Sequence, residues 1–65
     1  MSEIEESTDV IEIYVRTQGR AIFRSPNEGL IDGVRGRLNE RGYTVSKMVV
    51  EDDFKFALDI TLENA

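Results

Sequence analysis

The chain contains no cysteine and no histidine. The first absence excludes disulfides and thiolate metal sites, and the second removes the commonest acid–base residue and zinc ligand. No Ser-His or Cys-His nucleophile can be assembled, so an enzyme is not expected, and neither is a cofactor or metal. Tryptophan is also missing and proline occurs once. No apolar run exceeds three residues, Met48-Val49-Val50 among them, which is far too short to span a membrane, so a cytoplasmic protein is expected. What remains is a globular composition, 40% hydrophobic and 32% charged, in 65 residues. That length suits one small domain, which buries only about 60% of its unfolded surface.

The formal charge of −5 is unevenly spread. Glu3, Glu5, Glu6 and Asp9 supply four of the thirteen acids. From residue 10 to residue 41, four acids face six arginines; from Gly42 onward, five acids face two lysines. Such asymmetry bears on partners and encounter rates rather than on fold. Residues 1–8 hold a single aliphatic, Ile4, among acids and hydroxyls, and read as a disordered acidic tail ahead of a domain over 9–65.

From Asp9 to Thr17 the residues alternate, Ile11, Ile13 and Val15 against Glu12, Tyr14 and Arg16, the period of a half-buried strand. A turn at Thr17-Gln18-Gly19 ends in a glycine able to take positive φ, and a second strand follows. With this loop, Ala21 and Phe23 face the core while Arg20, Ile22 and Arg24 face out; a two-residue loop at Gln18-Gly19 scrambles the faces. Ser25-Pro26-Asn27-Glu28 reads as a helix start, with Ser25 capping and Pro26 in the first turn. Leu30, Ile31, Val34 and Leu38 form its apolar stripe, and Gly42 ends it, giving a helix over about 26–41. Residues 43–50 read as a strand with apolar groups on both faces, so its inward face stays undecided. After a turn at Glu51-Asp52-Asp53, Phe54, Phe56, Leu58, Ile60 and Leu62 alternate with polar residues as a last strand.

The order is strand, strand, helix, strand, strand. The expected architecture is α+β: one helix packed on a four-stranded mixed sheet ordered 2-1-4-3. In element order, ββαββ, it resembles the β-grasp class, a resemblance that carries no function of its own.

Two features stand out. Tyr14, Arg16, Arg20, Ile22 and Arg24 share the outward face of the first hairpin, where three guanidiniums and an aromatic suit a protein surface or the phosphates and bases of nucleic acid. Gly29, Gly33 and Gly36 cluster on the helix side opposite the apolar stripe. Each costs about 1 kcal/mol against alanine, and their row suits close approach by another helix or a second copy. The expected function is a small non-enzymatic protein-interaction module, an adaptor or small inhibitor, that engages another protein through its open sheet face or a strand edge, or forms a homodimer. The alternative is a nucleic-acid or anion-binding module built on the three arginines.

Overall fold

The computed structural model describes residues 2–51 and 53–62. Along the chain it places α1 Glu3–Gln18, β1 Arg20–Ser25, α2 Glu28–Glu40, β2 Thr44–Val49 and β3 Phe56–Thr61. The strands form one antiparallel sheet in the order β1-β3-β2, so the last strand is central and β1 and β2 are its edges. The fold is α+β with two helices. The four-stranded mixed sheet with one helix, and its β-grasp-like order, are therefore overturned.

The reversal comes from the first eighteen residues. Ile4, Thr8, Ile11 and Val15 recur at spacings of four, three and four, which is one face of a helix. Of these, Thr8 and Val15 are fully buried, and Ile11 nearly so. Ser2 caps the helix, its Oγ accepting the Glu5 N–H at 3.1 Å. Glu3, Glu5 and Glu6 complement the positive end of the dipole, and Arg16 the negative end. Residues 3–8, expected as a tail, and the expected first strand are thus one helix. Gly19 does take positive φ, 84°, but as the cap of α1, its N–H donating to Val15 O at 2.7 Å. Within the false alternation, Ile13 lies round the helix from Ile11 and Val15 and is 63% exposed.

Beyond Gly19 the sequence signals act locally. Asn27, not Ser25, caps α2: its Oδ1 accepts the Leu30 N–H at 3.2 Å. Ser25 Oγ accepts the Asn27 N–H at 3.0 Å and turns the chain into the helix, which starts at Glu28 rather than Pro26. At the far end Gly42, φ 90°, donates to Asn39 O while the Tyr43 N–H returns to Leu38 O, both at 3.1 Å. This double closure carries an apolar contact: Leu38 and Tyr43 are both buried.

Register divides the sheet into two faces. Ala21, Ile60 and Val45 lie side by side, as do Phe23, Leu58 and Lys47, and these rows face the helices. Ile22, Asp59 and Ser46 form a row on the open face, flanked by Arg20–Thr61–Thr44 and Arg24–Ala57–Met48. The inward face of β2 is therefore that of Val45 and Lys47. Ile31, Val34, Leu38, Leu58 and Ile60 are fully buried between the layers. Phe54 and Leu62 fall outside β3 and are about half exposed. In the expected turn, Asp52 lies outside the described residues. Among the described residues, no helix is long and apolar enough to cross a membrane.

Candidate docking groove

An open three-stranded sheet has two unpaired edges, and here they differ. On β2, Lys47 points toward the helices, where Nζ donates to Glu28 Oε2 and Asp32 Oδ1, each at 2.9 Å. It also lies 5.4 Å from the centre of the Phe56 ring. The bonds to Asp32 and Glu28 raise its pKa and keep it charged. A strand adding to this edge would have to bury an ammonium, which is how natural sheets protect an edge. The corresponding positions on β1 are Ala21, Phe23 and Ser25, all uncharged.

α1 packs mainly against α2 and β1, so its two flanks have different neighbours. Toward α2 the flank is ionic. Glu5 pairs with Arg37 at 3.7 Å, and Arg41 reaches Asp9 at 2.9 Å and Glu12 at 3.2 Å. Glu12 also accepts the Tyr43 hydroxyl at 2.7 Å, and Arg16 Nε donates to the same hydroxyl oxygen at 3.0 Å. The hydrogen bond to Tyr43 and, after it, the charge of Glu12 raise the Arg16 pKa.

Toward the β1 edge the flank is apolar, with Val10 52% and Tyr14 57% exposed. Val10, Ile11 and Tyr14 form one wall of a groove whose other wall is Arg20, Ala21, Ile22 and Phe23, enclosing about 360 Å³. Four consecutive strand residues line it, so it follows the backbone edge rather than one face of the sheet. A hollow of about 250 Å³ continues it past Glu6 and Ser7.

Of the residues singled out from sequence, Tyr14, Arg20 and Ile22 meet in this groove. Arg24 lies one pleat further along the open face, with no carboxylate partner among the described residues. Arg16 is elsewhere, bound to Glu12 and Tyr43, so the three guanidiniums do not form a cluster. Arg20 is engaged too: it forks Asp59 through Nε–Oδ1 at 2.9 Å and Nη2–Oδ2 at 2.7 Å. Those bonds hold the Asp59 carboxyl below its usual range. Val10, Ile11 and Phe23 were not expected in a site; the i, i+4 pair Val10 and Tyr14 is the sequence signal for that wall.

The glycine row is used within the chain. A Cβ at Gly33 would stand 2.5 Å from Ile4 Cδ1, so α1 itself makes the close approach there. Gly36 is open within 4 Å, and a Cβ at Gly29 would meet only Asn27 Oδ1 at 3.3 Å. No protein-family model, curated protein or solved structure matches the chain.

Proposed function

We propose that the chain is a small non-enzymatic protein-interaction module, an adaptor or small regulator, that receives its partner at the β1 edge and the groove beside it. The asymmetry of the two edges carries this reading. β2 is guarded by the inward charge of Lys47, whereas β1 has no inward charge and is bordered by exposed Val10, Tyr14 and Ile22. Small size supports it as well, because a domain of this length gains useful stability from surface buried on binding. The nucleic-acid reading has no comparable support: Arg16 is turned away, Arg20 is committed to Asp59, and the chain carries a charge of −5.

The test is site-specific photocrosslinking in cells. A photoreactive side chain at position 14 is expected to capture a partner polypeptide, while the same group at position 46, on the open sheet face, captures none. With that partner purified, Val10→Lys should weaken binding by about tenfold or more, the loss typical of an interface hot spot. Capture from position 46 alone, or from neither, would overturn the reading.

A further inference from the structure

We propose that the groove accepts one extended segment of the partner, added antiparallel to β1, with apolar side chains turned toward the helices and acidic side chains on the open sheet face. This rests on the reading of the β1 groove as the docking surface, and adds the conformation and chemistry of what docks there.

The backbone edge sets the conformation. β1 pairs with β3 alone, so its outer edge along the groove offers main-chain donors and acceptors, which an extended chain satisfies and a helix does not. The wall of Val10 and Tyr14 then covers the helix-side residues of the added strand, as alternate positions of a strand point to opposite faces.

The chain's own β3 shows what β1 pairs with. On its inner side, β1 sets Phe23 opposite Leu58 and Ala21 opposite Ile60, both apolar toward the helices. On the open face the same neighbour offers Asp59, which lies opposite Ile22 and is forked by Arg20. β1 thus already holds one strand with apolar groups in and an acid out. Its other edge presents the same side chains, and Arg24 still lacks a carboxylate among the described residues. An acid on the incoming strand, opposite or diagonal to Arg24, completes the pairing. A second copy meets this demand poorly. Pairing β1 with its twin, in the registers that keep like faces together, brings guanidiniums directly or diagonally opposite one another, because both strands carry Arg20 and Arg24.

Two synthetic peptides test this. Each keeps the inward residues of Phe56–Thr61; one carries aspartate at all three outward positions, the other lysine. Both are titrated into the ¹⁵N-labelled chain at low salt. The aspartate peptide is expected to shift and protect from exchange the amides of Arg20–Arg24, and to bind about tenfold tighter than the lysine peptide, with Arg24→Glu reversing the order. Equal binding of both peptides at β1 overturns the proposed chemistry while leaving the docking surface in place. Shifts on Thr44–Val49 instead, or none on β1, overturn strand addition; if position 14 still crosslinks to its partner, the docking reading survives. Protection of β1 with a doubling of mass before any peptide is added makes a second copy the occupant and also overturns the proposal.

Discussion

Ile4 occupies the space that a side chain at Gly33 would need, its Cδ1 2.5 Å and its Cγ1 3.0 Å from the position of a Cβ there. Three residues on, Gly36 has nothing within 4 Å of the same position. Both glycines sit inside α2, where alanine is favoured by about 1 kcal/mol. Gly36→Ala should therefore stabilise the fold by about 0.5–1 kcal/mol in urea denaturation. Gly33→Ala should forfeit that gain, because Ile4 must shift, and should fall about 1 kcal/mol below Gly36→Ala. Adding Ile4→Val, which removes Cδ1, is expected to narrow the gap.

The same pair explains what the sequence discloses. Much of the second half of the chain is legible: Ser25-Pro26-Asn27 marks a helix start, although the cap falls on Asn27 rather than Ser25, Gly42 closes the helix, and Phe56-Ala57-Leu58-Asp59-Ile60 alternates as a strand. Gly19 has two meanings, since hairpin turns and helix caps both call for positive φ. Ile11, Ile13 and Val15 fit a period of two, whereas Ile11 and Val15 fit a helix only once Ile4 and Thr8 are counted with them. The acids around Ile4 suggest a tail, yet they stabilise a helix start behind Ser2. Ile4 finds its burial at Gly33, 29 residues away, and no local pattern reports that contact. Alternation along β1 puts Arg20, Ile22 and Arg24 on one face, as in the structure, but does not tell which of them border the groove. The groove itself depends on α1 lying beside β1, and the guard on β2 depends on Lys47 facing α2.

Arg20 and Asp59 give acid stability a defined sign. Hydrogen bonds from the guanidinium, outweighing desolvation, hold the Asp59 carboxyl below its ordinary value. Its contribution is therefore complete above the unfolded-state value of about 3.9 and is lost as pH falls through the lower folded value. The stability difference between the wild type and Asp59→Asn should be constant from about pH 7 to 5 and shrink below about pH 4. Urea midpoints of the two proteins across that range check it; a difference unchanged at pH 3 would refute the depressed carboxyl.

Lys55 is the one non-glycine residue with positive φ among those described, at 65°. Its carbonyl accepts the Val50 N–H at 2.8 Å, so the connection between β2 and β3 depends on this geometry. A left-handed L-residue costs about 1–2 kcal/mol, part of which glycine returns through its more flexible unfolded chain. Lys55→Gly should raise the melting temperature by about 2–4 °C, as about 0.5 kcal/mol does in a domain of this size. Lys55→Val, β-branched, should lower it. Equal melting temperatures for the two variants would contradict a left-handed residue here.

Lys47 should matter more to solubility than to folding. Its ammonium bridges Glu28 and Asp32, which are themselves 57% and 52% exposed and remain hydrated without it. Replacing it by valine leaves a good strand former facing the helices, beside Val45 and Leu58, and strands no buried charge. It also removes the one charged side chain that points inward from β2, so the edge running to exposed Val49 becomes apolar and unguarded. Lys47→Val is therefore expected to fold, with a far-ultraviolet spectrum like the wild type's. Its mass by light scattering should rise with concentration across a range where the wild type's is constant. Lys47→Glu, which keeps an inward charge, separates the guard from the salt bridge. It should lose the contacts to α2 and fold less stably, yet show no concentration-dependent growth in mass. Were Lys47→Glu to associate as Lys47→Val does, the ion pairs with Glu28 and Asp32, rather than the inward charge itself, would be what keeps the β2 edge closed.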